Sequence, residues 1–183
     1  MNCNGFKGGT GTAPRKLPAD QGGYTIGVLV QCNYGSRYEV RIAGVPEEAE
    51  QDSIIVAVAT DAPLTPDQLK RIAKRVSLGL GRAGTIEANG SGDIFIAFST
   101  ANPGADEGNS SPTGRAPLST IQHLIGDRID FLFLATIQAT DEAVDNALIA
   151  ADTMTGADYW RSYAILHDQL REILRKHNRL IEH

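Results

Sequence analysis

Ser53–Thr60 reads SIIVAVAT, an almost unbroken run of aliphatic residues closed by a threonine. The run has the length of a strand, and it predicts a strand buried on both faces. On its N-terminal side, Gly44–Asp52 (GVPEEAEQD) is acidic, polar and carries Pro46, the composition of an exposed linker. On its C-terminal side, Thr65, Pro66 and Gln68 have the chemistry of a helix start: a hydroxyl cap, a proline in the first turn and a glutamine three residues after the cap. Leu69, Ile72, Ala73, Val76 and Leu80 keep helical spacing, and Gly81 and Gly84 are expected to end the helix.

Further out, Tyr24–Asn33 (YTIGVLVQCN) reads as a strand, and Arg37–Ala43 (RYEVRIA) alternates as a half-buried strand does. The short step through Tyr34–Ser36 predicts that these two form a hairpin. Asp93–Ser99 (DIFIAFS) is another strand, entered through Asn89-Gly90-Ser91-Gly92. Asn102–Ala116 is a Gly/Pro/Ser/Asn loop, long enough to be functional or mobile. Ile129–Thr153 has helical periodicity, and a last helix is expected from about Asp158, with Leu166, Leu170, Ile173 and Leu174 on one face. The sum is a mixed α/β (α+β) domain in which helices cover strands.

The chain has 183 residues, 42% of them hydrophobic, enough for one domain with a core. Its net charge is −5, and its basic clusters, Lys70–Arg75 and Arg171–Arg179, alternate with apolar residues in helical patterns. They read as solvated helix faces, which argues against nucleic-acid binding. Cys3 and Cys32 match no zinc spacing and no redox pair, and read as small buried hydrophobes rather than a disulfide or a metal site. No apolar run approaches the roughly 20 residues of a bilayer span, so no membrane partner is expected. No basic-then-apolar leader is visible. The compartment is left open, with the cytoplasm slightly favoured and the periplasm an alternative.

Ser53 stands where a polar linker meets a buried strand. Its hydroxyl could simply begin the strand. It could instead attack the preceding carbonyl and cleave the Asp52–Ser53 bond, which would make Ser53 a new N-terminus. The α-amine, with a pKa of about 8 in model peptides, would then serve as base for the hydroxyl of the same residue. Asn89-Gly90-Ser91-Gly92-Asp93 could be a turn feeding a strand. Alternatively its glycines allow close backbone approach, and Ser91 and Asp93, two apart, share a face and orient that amine. Asn33 ends its strand, where its carboxamide could donate to an oxyanion or merely cap a turn. Gly8-Gly9-Thr10-Gly11-Thr12 lacks the Lys-Ser/Thr ending of a phosphate loop. His123, His167, His177 and His183 lie in helical or terminal regions, and no Gly-x-Ser-x-Gly elbow is present. His167 reads as a helix-start or packing residue, and His177 and His183 as exposed.

NGFKGGTGTAPR (Asn4–Arg15), YTIGVLVQCNYG (Tyr24–Gly35), DSIIVAVATDAPLTPDQLKRIAKR (Asp52–Arg75), NGSGDIFIAFSTAN (Asn89–Asn102) and ALIAADTMTG (Ala147–Gly156) occur in order, followed by HDQLREILRKH. Together they resemble the DmpA/BapA type of aminopeptidases, also described as L-aminopeptidase/D-esterase or β-aminopeptidase enzymes. The resemblance implies a layered αββα sandwich of the kind shared with ornithine acetyltransferases. It also implies self-cleavage between Asp52 and Ser53, with Ser53 as nucleophile, Ser91 and Asp93 assisting and Asn33 polarising the oxyanion. No metal or organic cofactor is implied. Residues 1–52 would be the tail of an α-subunit portion and 53–183 the β-subunit portion. The implied partners are a small peptide, amide or ester substrate with a free amine, further copies of the chain in a homo-oligomer, and an N-terminal half.

The family's members are about twice this length, so the sandwich is expected to be incomplete. Asp52 stands where the family more often has Gly or Asn, which would slow self-cleavage, and the linker Val45–Asp52 is short, which would restrict how the scissile bond is presented. The leading reading is hydrolysis of N-terminal amino-acid amides, peptides or esters. The rivals are an inactive remnant or assembly partner, and an acyltransferase of the ornithine type.

Overall fold

The computed structural model describes residues 1–34, 41–42, 45–46, 53–87, 89–105 and 119–180. Its strands, in chain order, are β1 (Asn2–Cys3), β2 (Phe6–Lys7), β3 (Thr10–Lys16), β4 (Thr25–Asn33), β5 (Arg41–Ile42), β6 (Val45–Pro46), β7 (Ser53–Thr60), β8 (Ile94–Ser99), β9 (Met154–Thr155) and β10 (Arg161–Ser162). The helices are α1 (Pro66–Ala73), α2 (Val76–Ala83), α3 (Asp130–Ile149) and α4 (His167–Lys176).

The main sheet has the order β3-β4-β7-β8. β4 is antiparallel to both β3 and β7, and β8 runs parallel to β7 after a crossover through α1 and α2. The crossover begins with the anticipated capping box: Gln68 N–H donates to Thr65 Oγ1, and Thr65 N–H to Gln68 Oε1. α3 lies across β3 and β4 with α2 against it. The contact is close. A Cβ on Gly11 would run into the α3 backbone at Ala143 O and Ala147 N, and one on Gly79 would meet Thr140 Cβ at 2.5 Å. Buried Thr136 and Thr140 return their hydroxyls to Leu132 O and Thr136 O, so α3 stays apolar towards its neighbours without orphaned donors.

Several expectations are corrected. The expected partner strand Arg37–Ala43 lies outside the described residues except for Arg41–Ile42, which pairs with Val45–Pro46, and the neighbours of β4 are β3 and β7. β3 comes from the glycine-rich segment, where β-propensity is low and close packing on α3 favours Gly11. Cys3 and Cys32 are buried as expected, but as a disulfide with a Cα–Cα separation of 5.4 Å, because β1 is laid against the end of β4. The helix after Thr65 is interrupted at Lys74 and Arg75; Gly81 lies inside α2, and Gly84 ends it in the left-handed region (φ 114°). α3 stops at Ile149. The last helix starts at His167 rather than Asp158, because Asp158 and Tyr159 have φ of 52° and 59° and cannot continue a right-handed helix. His167 is therefore the helix-start residue anticipated, with its Nε2 3.0 Å from Ile149 O. His177 is exposed as expected. His183, most of Asn102–Ala116 and most of the linker before Ser53 fall outside the described residues.

β7 is covered on one face, not two. Ile54, Val56 and Val58 face the helices and are fully buried, whereas Ile55 is 47% exposed. By strand alternation, Ser53, Ile55, Ala57 and Ala59 share the other face with Leu29, Ile94, Ile96 and Phe98, all four of them exposed. A shallow, largely apolar depression of about 450 Å³, bordered by Pro14, Leu29, Ala57, Ala59 and Phe98, lies on this face. The run is continuously apolar, yet the described residues supply a helical layer for one side alone. Among the described residues, no helix is long and apolar enough to cross a membrane.

On α3, burial raises the Asp145 carboxyl to about 7, with the charges of Asp141 and Glu142 adding to the effect. Its acidic neighbours are themselves paired, Asp141 with Arg82 at 3.0 Å and Glu142 with Arg15. A raised carboxyl pKa means that the folded chain keeps a proton the unfolded chain has released. Stability from this group is therefore complete below about pH 4 and falls as pH rises towards 7. Asp145→Asn fixes the neutral state. Its gain over wild type, read by urea unfolding, is expected to grow from under about 1 kcal/mol at pH 4 to as much as about 4 kcal/mol at pH 8. A gain that does not change with pH contradicts this assignment.

Candidate active site

The register of three strands assembles the site. Asn33 and Ser53 are Cα partners at the end of the antiparallel β4–β7 ladder. Ile55 and Ile94 are partners at the start of the parallel β7–β8 ladder, so the residues just before β8 arrive beside Ser53. The sheet thus brings Asn33, Ser53 and Ser91–Asp93 to one corner.

The contacts are specific. Ser53 Oγ accepts the Gly92 N–H at 2.9 Å. Asp93 Oδ1 accepts the Ile54 N–H at 3.1 Å and the Ser91 hydroxyl at 2.7 Å. The Asp93 carboxylate is therefore fixed to the backbone one residue beyond Ser53, and Ser91 is fixed to Asp93. These two residues lie in the segment entering β8, which begins at Ile94, and they meet through the carboxylate. Ser53, Ser91, Asp93 and Asn33 are all partly buried, and Gly92 is exposed.

Asn89–Gly90 form the turn that the sequence offered, and Gly92 makes a close backbone approach to Ser53. A Cβ at this position would stand 3.1 Å from Ser53 Oγ. A glycine lets the backbone N–H come within hydrogen-bonding reach, and a donor so placed is one that could stabilise negative charge on an oxygen at this position.

Asn33 presents its carboxamide on the same face of the sheet as Ser53. Its Oδ1 accepts the Asn2 N–H at 3.0 Å. A backbone N–H needs an acceptor, so this bond fixes which end of the carboxamide is oxygen and leaves the NH2 as the donor end. Sequence reasoning missed three parts of the site: the Gly92 N–H as a named donor, Asn2 as the residue that holds Asn33, and the Cys3–Cys32 bond beside them. The NGSGD string signalled the first; nothing in the spacing of residues 2–3 and 32–33 signalled the others. Asp52 falls outside the described residues. His123, His167 and His177 are not part of the Ser53 contacts; the first two bond to the carbonyls of Leu124 and Ile149.

The arrangement offers a hydroxyl on a rigid strand, a backbone donor to it, a carboxylate–hydroxyl pair beside its main chain and a carboxamide across the ladder. That set suits attack by Ser53 Oγ on a carbonyl carbon.

Residues 1–161 match Peptidase family S58. The β-peptidyl aminopeptidase BapA of Sphingosinicella microcystinivorans is 44% identical over 98% of this chain and 50% of its own length. That of Sphingosinicella xenopeptidilytica is 38% identical over 93% and 47%. Among solved structures, a Burkholderia sp. β-aminopeptidase superposes with a TM-score of 0.87 at 42% identity, covering 96% of this chain and 51% of that one. The L-aminopeptidase D-Ala-esterase/amidase of Ochrobactrum anthropi, described as a prototype for the serine aminopeptidases and a new variant among the Ntn hydrolase fold, gives 0.85 at 44% identity, over 99% and 51%. The chain spans about half the length of these relatives.

Gly92→Ala tests the close approach. The added methyl group meets Ser53 Oγ, so reaction of Ser53 with a serine-directed acylating reagent is expected to slow tenfold or more, with unfolding stability changed by less than about 1 kcal/mol. Unchanged reactivity would contradict a role for the Gly92 N–H.

Proposed function

This chain belongs to peptidase family S58, and we propose that it is the nucleophile-bearing portion of a self-processing serine aminopeptidase that hydrolyses N-terminal amino-acid amides, peptides or esters. The observation that carries the reading is the Gly92 N–H on Ser53 Oγ at 2.9 Å, with Asp93 bonded to the very next backbone N–H. A strand-start serine without a chemical role would not require a glycine and a carboxylate at the same corner.

In the proposed sequence, Ser53 Oγ attacks the Asp52 carbonyl carbon. The C–N bond breaks, the acyl group passes to oxygen, and water hydrolyses the resulting ester. Ser53 then carries a free α-amine, with residues 1–52 ending at Asp52 and 53–183 beginning at the nucleophile. For an external substrate, that amine takes the Oγ proton while Oγ attacks the substrate carbonyl. The Asn33 NH2 donates to the developing oxyanion, and the Ser91–Asp93 pair holds the region of the amine. The proton passes to the leaving amine or alcohol, and water resolves the acyl-enzyme. Nucleophile and base share one residue, so their geometry requires no separate histidine. The aminopeptidase names of the relatives support hydrolysis over acyl transfer to an amine acceptor.

Ser53 and Asn33 lie on the uncovered face of the sheet. We take the further half-length carried by the relatives as the layer that covers this face and completes the pocket for the substrate's free amine. The exposed Ile55, Ile94, Ile96 and Phe98 give that layer an apolar seat.

With a panel of α- and β-aminoacyl p-nitroanilides, Ser53→Ala is expected to reduce turnover to background. Asn33→Ala is expected to lower kcat by about 10²- to 10³-fold, the usual loss on removal of one oxyanion donor. Turnover surviving in Ser53→Ala sinks the proposal.

A further inference from the structure

Asn33 is held by a part of the chain remote in sequence. β1 and β2 form a tight hairpin, with Asn4 (φ 49°) and Gly5 (φ 70°) at its turn. The hairpin is laid against the end of β4: Asn4 N–H donates to Tyr34 O at 2.6 Å, and Cys32 N–H donates to Gly9 O at 2.8 Å just beyond the hairpin. At its other side Lys7 N–H donates to Tyr163 O at 2.6 Å, and the Ser162 hydroxyl donates to Asn2 Oδ1 at 2.6 Å.

One link in this contact is covalent. Cys3 is bonded to Cys32, both fully buried. Gly8 makes room for it: a Cβ there would stand 2.9 Å from both Cys3 N and Cys32 O. Cys3 follows Asn2 and Cys32 precedes Asn33, so the disulfide is one residue away, on both strands, from the Asn2 N–H···Oδ1 bond that fixes the carboxamide. A small closed ring results, running through Asn2, Cys3, Cys32 and Asn33, with one covalent closure and one hydrogen-bonded closure. The covalent closure limits how far Asn2 can move from Asn33.

We infer that Cys3 and Cys32 are positioning residues for the Asn33 carboxamide, so that their disulfide, when formed, holds the oxyanion donor of the site in its working orientation. The inference rests on the role proposed for Asn33 above. Reduction by a dithiol transfers two electrons to the disulfide, leaves thiols on Cys3 and Cys32 and closes the reductant to its own cyclic disulfide. The burial of both sulfurs requires the β1–β2 hairpin to open before that exchange, so the reaction is slow in the folded chain.

The test compares the oxidised chain, the chain reduced with dithiothreitol, and the Cys3→Ala/Cys32→Ala variant, by two readouts. Nitrogen relaxation of the Asn33 side-chain NH2 reports orientation without any need for catalysis. Its order parameter is expected to fall from about 0.8 to below about 0.6 in the reduced and substituted chains, the change from a rigid to a flexible group. An order parameter that stays put overturns the inference, whatever the activity. The second readout is turnover of the p-nitroanilide panel. kcat is expected to fall tenfold or more with KM changed less than threefold, and the loss is expected to vanish when the same comparison is made in an Asn33→Ala background. A loss that persists there assigns the disulfide to general stability and overturns the inference. Turnover intact in Ser53→Ala defeats the aminopeptidase reading instead, and the relaxation measurement still decides this one.

Discussion

The pairing register of β7 fixes everything else at the site. Asn33 stands opposite Ser53 in the antiparallel ladder, and Ile94 stands opposite Ile55 in the parallel one. Side chains alternate along a strand, so a slip of one residue would turn Ser53 towards the helical side of the sheet and bring Ile54 to the face that Ser53 now occupies. The register is held by burial: Ile54, Val56 and Val58 must face the helices, and on β4 so must Val28, Val30 and Cys32. The same apolar residues that form the core thereby aim a serine away from it. The Asp93 bond to the Ile54 N–H then ties the β8 entry to the strand that carries the nucleophile.

The sheet is two-faced, and the two faces differ in what this chain gives them. One lies on the helical side, where α3 presses on β3 closely enough that Gly11 has no room for a methyl group, and α2 packs as closely on α3 at Gly79. The other leaves Leu29, Ile55, Ile94, Ile96 and Phe98 in contact with solvent and carries Ser53 at its corner. Apolar area of this kind is stabilised by being covered, at roughly 25 cal/mol per Å². The match to half the length of the relatives accords with that arrangement.

Much of this was legible from the sequence. The SIIVAVAT run announced β7, the Thr65–Gln68 pair announced its capping box, and NGSGD marked the segment that meets Ser53. These features are local, and local chemistry can be read along a chain. What the sequence hid depends on pairing across distance. The apolar run predicts burial on two faces but does not say which covering layer lies in the same chain. The strand Thr10–Lys16 was obscured by Gly11, a residue that weakens a strand yet is required where α3 presses on it. The expected hairpin after Asn33 failed because β4 uses both its edges on β3 and β7. Two cysteines 29 residues apart carry no signal of pairing, and their bond follows from the docking of a hairpin that only the fold reveals.

The central claim is that Ser53 is a live nucleophile towards its own preceding carbonyl. Intact mass of the purified chain tests it most directly. Two fragments are expected, residues 1–52 and 53–183, with Ser53 as the new N-terminus, and a single uncut mass in Ser53→Ala. A wild-type chain that stays uncut after prolonged incubation, or a Ser53→Ala chain that is cut at the same bond, would contradict it.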